Sequence, residues 1–164
     1  MPETAHDTEL AALTTRIREL SDRIELRELF DAYVTALDLA GDPGDRARYT
    51  ALFTEDATFT FPIGTCTGIT AYTAFQAAAR ARWAHTHHLS ANHTITLHGD
   101  RARLRVHQSA THLHHTPGHT PFTIGGHYDA HAVRTPGGWR LNRVAFHVTW
   151  TTGTSPDPLP DTPR

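Results

Sequence analysis

The chain contains no lysine: all 15 of its basic residues are arginine, and it has a single cysteine, Cys66. Without lysine there is no Schiff-base enzyme, no pyridoxal-phosphate enzyme and no P-loop nucleotide site of the usual kind. One cysteine excludes an intrachain disulfide, a CxxC redox pair and a multi-cysteine zinc site. No stretch approaches the ~18 consecutive apolar residues of a membrane span. The N-terminus (MPETAHDTEL) lacks the basic-then-apolar layout of a signal peptide, so a soluble, cytoplasmic protein with no membrane partner is the expectation. The formal net charge of -2, with histidine neutral, offers no electrostatic case for nucleic acid. What the chain has in excess is histidine, 14 of them, and their placement decides how many can do chemistry.

At 164 residues one domain is expected, large enough to bury a core without disulfides or metals. Apolar residues recur at helical spacing from Thr8 to about Leu39, and Ser21-Asp22 could cap a second helix inside the run. Two helices are therefore expected, over 6–20 and 22–40. The first would be exposed on its own and is expected to pack on a neighbouring subunit. Gly41-Asp42-Pro43-Gly44 breaks the pattern, Asp45 to Phe53 suggests a short helix, and Ala57–Phe61 alternates like a strand that stops at Pro62. Ile69 to about Trp83 returns to helix, with Tyr72, Phe75 and Ala79 on one face.

Beyond Trp83 the period changes to two. Strands are expected over His85–Leu97 and Arg101–His115, joined at Gly99-Asp100, then near Phe122–Thr135 and Trp139–Trp150. In the second of these Ala102, Leu104, Val106, Gln108, Ala110 and His112 share one face, while Arg101, Arg103, Arg105 and His107 take the other. The basic stripe suits a solvated or dimer-facing surface. The division is residues 1–20 as an N-terminal helix, 21–150 as the domain and 151–164 as a mobile Pro/Thr-rich tail. Helices covering one face of a curved, mostly antiparallel sheet make an α+β cone around a single pocket.

The ordered segments LRELFDAYVTALDLAGD, YTALFTEDATFTFP, HTHHLSANHTITLHGDRARLRVH and GGHYDAHAVRTPGGWRL, with a late Trp150, resemble SnoaL-like proteins of the nuclear transport factor 2-like superfamily from about Ile24 to Trp150. The resemblance implies the cone fold. Its activities range over polyketide cyclases, scytalone dehydratase, bile-acid dehydratases, ketosteroid isomerase, limonene epoxide hydrolase and non-catalytic binders. Fold therefore supplies a pocket, and the residues must supply the reaction.

Asp38 interrupts a run of apolar and small residues, and Tyr33 lies five residues before it. Five helical steps put them about 140° apart, so both border one cavity only if it sits at the helix end. The plain structural role for Asp38 is solvent exposure or a hydrogen bond to the Gly41 turn. In dehydratase-like members a tyrosine and an aspartate occupy this segment. The resemblance also places a catalytic histidine at His88 and a second at His112, although the local motif around the latter is absent. By alternation His87 and His88 face opposite sides of the sheet, and a one-residue slip exchanges them.

An aspartate that orients a histidine suits it to act as base near neutral pH, and a tyrosine hydroxyl aimed at a carbonyl stabilises an enolate. The expected roles are Asp38 and His88 as the acid/base pair, Tyr33 as carbonyl polariser and His112 as a second proton donor. Tyr128, Phe59, Phe61, Phe75, Gln108 and Phe146 are expected to bind substrate. Dehydration or aldol-type cyclisation of a polyketide- or steroid-like carbonyl compound follows, with isomerisation, epoxide opening, oxygenation or simple ligand binding as alternatives. Neither main route needs a cofactor.

His85-x-His87 and His112-x-His114 have a spacing that can chelate a transition metal, with His115, His119 and Asp129 as further candidates. No HExxH accompanies them, and a chain-wide bias would scatter histidines without function, so no metal is expected. Cys66 has no neighbouring base and no assigned role. A small hydrophobic substrate and a second copy, as a homodimer through the sheet, are the expected partners.

Overall fold

The computed structural model describes residues 3–39 and 43–156. Three helices, α1 (Glu3–Asp38), α2 (Pro43–Thr50) and α3 (Ile69–Arg80), accompany six strands: β1 (Phe53–Phe61), β2 (Gly64–Thr67), β3 (His85–His98), β4 (Arg101–Leu113), β5 (Phe122–Thr135) and β6 (Gly138–Thr152). The strands form one sheet in the order β2-β1-β6-β5-β4-β3. All neighbours are antiparallel except β1 and β6, which the long connection through α3 and the β3–β5 meander brings together in parallel. The architecture is the expected α+β cone. Among the described residues no helix is long and apolar enough to cross a membrane.

α1 corrects the two-helix expectation: it runs unbroken through Ser21-Asp22. Asp22 is not a cap. Its carboxylate accepts from Arg134 Nη2 at 2.6 Å and from Trp139 Nε1 at 3.2 Å, and the Arg134 guanidinium lies over the Trp139 ring. Partners more than 110 residues away thus take the side chain that a local cap would have used. The expected break at Gly41-Asp42-Pro43-Gly44 lies partly on residues 40–42, outside the described ones. Pro43 opens α2, where its missing N–H costs nothing. Phe53 belongs to β1 rather than to that helix.

The alternation of β4 is as expected: Ala102, Leu104, Val106, Gln108 and Ala110 are buried, and the arginine side is exposed. Leu26, Phe30 and Tyr33 of α1 meet Leu104 and Val106 of β4 and Leu141 and Val144 of β6 in one apolar core. β2 was not anticipated and carries Cys66, which pairs with Phe59 across a hairpin. Four residues, the first of them a glycine, are too few for a visible period.

In β3 the inward positions are 86, 88 and 90, then 93, 95 and 97. The change of phase falls at Asn92, whose φ of 54° marks an irregularity in the pairing with β4. That bulge turns His93 toward α1. After β6, Ser155 and Pro156 border the cavity described below. Residues 157–164 lie outside the described ones.

β5 and β6 approach so closely that a Cβ built on Gly126 would stand 2.0 Å from the His147 carbonyl oxygen. That neighbour is backbone and cannot swing away. Gly126→Ala is therefore expected to destabilise the fold by at least the ~1–3 kcal/mol of an overpacked core. Urea unfolding checks it, and a midpoint equal to the parent's would contradict the packing.

Candidate active site

The cone opens between α3 and the inner face of β4–β6. The cavity measures about 140 Å³ and is walled largely by Phe61, Phe75, Trp83, Phe122, Ile124 and Phe146. That is on the order of the ~150 Å³ cavity that holds a benzene molecule, so its closed part takes about one ring and a larger molecule must extend through the mouth. Arg80, Arg82, Ile63 and Pro156 also border it.

Two polar groupings interrupt this wall. The first joins α1 to β3. Asp38 is the last residue of α1, and its Oδ1 lies 2.6 Å from His88 Nδ1. Its Oδ2 accepts the His88 backbone N–H at 2.8 Å, and Oδ1 also accepts from the Thr86 hydroxyl at 2.8 Å. Burial would raise the Asp38 carboxyl. The His88 ring, the His88 N–H and the Thr86 hydroxyl outweigh it and hold the group below the usual carboxylate value. An ionised Asp38 requires the proton of neutral His88 on Nδ1, which leaves Nε2 as the ring nitrogen able to accept a proton in the cavity.

His88, not His87, is the residue at the cavity; His87 is exposed on the opposite face. Asp38 itself is behind the wall and acts through the ring it holds. Thr86 was missed because a threonine in a Thr/His-rich strand carries no signal until its partner is known.

The second grouping is built from tyrosines. The chain has 4, and Tyr33, Tyr49, Tyr72 and Tyr128 are all buried in one cluster. Tyr33 corrects its expected role. It is fully buried and does not line the cavity, and its hydroxyl is 3.3 Å from that of Tyr72. Being 140° around α1 from Asp38, it projects into the core instead. The cavity position belongs to Tyr128, which packs against Tyr33 with ring centroids 5.7 Å apart and lines the cavity with Gln108. Burial pushes the Tyr128 phenol up to about 12, against the lowering effect of the neighbouring Tyr33 and Gln108, and burial also raises Tyr33 well above its ordinary value.

Gln108 lines the cavity at 6% exposure, and its Oε1 has no hydrogen-bond partner. Phe61, Phe75 and Phe146 line the cavity as expected. Phe59 does not. It is fully buried behind the wall, stacked on Tyr72 with ring centroids 3.6 Å apart.

His112 lies across from His88, with ring centroids 5.4 Å apart and planes at 87°. Its Nδ1 is 3.4 Å from the Phe122 carbonyl, and Trp83 packs against the ring. Burial and then the neighbouring His88 lower the His112 imidazole from 6.5 to about 4. It is therefore neutral at pH 7. With its proton directed at Phe122, it offers the cavity an acceptor, which corrects the expected role of proton donor.

The metal candidates from sequence do not converge. His85 and His87 are exposed, and His114 packs beside Trp83 and His119. Among the described residues one other set does meet: ligand atoms of His127, Asp129 and His147 lie within 4.8 Å of one another on the outer face of the sheet. His147 Nε2 is 3.3 Å from Asp129 Oδ2, while Arg105 stands 3.5 Å from Oδ1. The single carboxylate is thus shared between two imidazoles and the permanent cation of Arg105.

A six-stranded curved sheet closed by helices over one cavity is the nuclear transport factor 2-like fold. The chain belongs to the family described as the SnoaL-like domain, whose model matches residues 18–145. No curated protein matches the chain. Among solved structures it is similar to a scytalone dehydratase-type protein from Novosphingobium aromaticivorans, at 22% identity and a TM-score of 0.75, over 89% of this chain and 96% of that one. A protein from the same organism described as an aromatic ring hydroxylase matches at 27% identity and a TM-score of 0.72, covering 82% and 94%. A hexachlorocyclohexane dehydrochlorinase from Novosphingobium barchaimii matches at 16% and 0.74, covering 87% and 96%.

The site makes the fold acid-sensitive. Between pH 6.5 and about 4 the unfolded chain protonates His112 while the folded chain does not, so stability falls as the pH drops through that window. Asp38, depressed in the fold, adds a loss at lower pH, as its carboxylate is protonated. Urea midpoints are expected to fall from pH 7 to pH 4, and His112→Phe to flatten the part between 6.5 and 4. An unchanged slope in His112→Phe would contradict the assignment.

Proposed function

We propose that the protein is a cofactor-independent acid/base enzyme acting on a hydrophobic, polyketide- or steroid-like carbonyl compound, by dehydration or cyclisation. The observation that carries this is the 2.6 Å Asp38–His88 pair at the wall of an apolar cavity. His88 Nε2 takes the α-proton, and the C–H electrons pass into an enolate. Asp38 offsets the charge the ring gains. Burial keeps the Tyr128 phenol protonated, so its hydroxyl donates to the substrate carbonyl oxygen.

The His88 imidazolium then returns its proton to the β-hydroxyl, the C–O bond breaks and water leaves. If the enolate instead meets an internal carbonyl, a C–C bond forms and the proton goes to the new alkoxide. His112 accepts a hydrogen bond from the substrate hydroxyl and orients it. Tyr33 serves behind Tyr128 as a positioning residue.

Two of the similar structures carry the names of eliminations, a dehydratase type and a dehydrochlorinase, which favours elimination over isomerisation or epoxide opening. The hydroxylase description of a third keeps oxygenation as the competing outcome.

A panel of β-hydroxy aryl ketones incubated in D₂O tests the reading, followed by mass spectrometry and NMR. Loss of water is expected, with deuterium at the α-carbon of the ketone recovered before elimination, and with His88→Ala and Asp38→Asn slower by roughly a hundredfold or more. Ketones that bind yet return without deuterium would make the protein a binder. A gain of one oxygen would make it an oxygenase. Either result overturns the proposal.

A further inference from the structure

The first half of α1 carries a face that no described part of the chain covers. Leu10, Leu13, Ile17, Leu20 and Ile24 are between 52% and 63% exposed. They recur at steps of three, four, three and four residues, which at 100° per residue confines them to a stripe about 80° wide. The body of the protein packs on the opposite side: Asp22, Leu26, Phe30 and Tyr33 lie about 160° to 240° around the axis from Ile24. Residues 5–21 are exposed throughout. The stripe therefore points away from the cone that carries it, and this domain cannot fold back to cover it.

We propose that this stripe is the seam of a parallel, two-stranded coiled coil formed with a second copy of the chain. A repeat of 3.5 residues is matched by another helix of the same repeat, and an identical chain supplies one. In heptad terms Leu10, Ile17 and Ile24 take position a, and Leu13 and Leu20 take position d. Ile17 and Ile24, the β-branched residues at a, with leucine at d favour two parallel strands.

The flanks agree with that choice. In a parallel pair each g residue faces the e residue five positions on in the partner, so Glu9 faces Thr14, Arg16 faces Ser21 and Arg23 faces Glu28. No like charges meet, and the last pair is opposite in sign. Arg23 already donates to the Ile95 carbonyl of its own β3, which fixes its place beside the seam.

The area is sufficient. Five half-exposed Leu and Ile side chains on each helix offer on the order of 1,000 Å² in total, the lower bound for a specific interface. Two heptads alone would be marginal as a free peptide. Here they extend a 36-residue helix that Asp22, Asp31 and Asp38 fasten to the sheet, so the ordering cost is largely met by the fold. The opposite side of the arm carries Thr15 and Glu19, so there is one seam and the assembly closes at two. The two cones then lie on opposite sides of the helix pair.

Light scattering on the full chain tests the pairing. Leu13→Glu with Leu20→Glu is expected to halve the molar mass while far-UV circular dichroism of the sheet is retained. Thr15→Glu, on the far side, leaves the mass unchanged. In a Cys66→Ala background, Leu10→Cys is expected to cross-link to itself under mild oxidation, because parallel strands in register bring the two positions together. A mass unchanged by the glutamates overturns the seam. Loss of mass without the Leu10→Cys cross-link overturns the parallel arrangement.

Discussion

The site depends on one contact, the Asp38 carboxylate at the end of α1 gripping the start of β3. It does three things at once. It satisfies the Thr86 hydroxyl and the His88 backbone N–H, it sets the tautomer of the His88 ring, and it fixes the angle at which α1 closes over the sheet. One helical heptad earlier the same device recurs: Asp31 takes the Ser90 hydroxyl at 3.0 Å and lies 3.0 Å from His93 Nε2. Seven residues are two turns, so both carboxylates lie on nearly the same side of α1 and reach the same strand. The bulge at Asn92 presents His93 to the earlier one. α1 is thus held to β3 by two carboxylates, Asp38 on Thr86 and His88 and Asp31 on Ser90 with His93 beside it. Only the later one opens onto the cavity.

The cavity's polarity follows from what stands behind its wall. Tyr33 is buried and inaccessible to a ligand, yet it packs edge-on against Tyr128 and helps hold that ring at the cavity wall. Burial suppresses the charge of His112 and leaves it an acceptor opposite a histidine whose proton is committed to Asp38. Two imidazoles at 5.4 Å therefore stand in different environments: one is bonded to a carboxylate, the other is buried beside a backbone carbonyl. Gln108, with one buried oxygen unpartnered, adds a place for a donor on the ligand. The rest of the wall is aromatic and binds by burial alone.

Much of this was legible in the residues. The period-two alternation of β4 reported its inner face directly, because half-buried strands must alternate. Asp38 was conspicuous as a carboxylate in an apolar run, and the family segments indicated the cone. What could not be read depended on partners distant in sequence. Asp22 looked like a cap because its true partners, Arg134 and Trp139, come in a different strand pair. Tyr33 looked like a site residue because its neighbour in sequence is one; its neighbours in space are other tyrosines. Phe59 shares its strand face with true core residues, and alternation does not distinguish the wall of a cavity from the layer behind it. The histidines of the outer face, placed by the same alternation, meet Arg105 and Asp129 rather than a cavity.

The central claim is that Asp38 holds the His88 proton on Nδ1 and leaves Nε2 unprotonated for chemistry. Nitrogen-15 NMR of the histidine side chains at neutral pH reads this directly. A neutral His88 protonated at Nδ1, converting to a mixture of tautomers in Asp38→Asn, is the predicted result. A His88 protonated at Nε2 in the unaltered protein would contradict it.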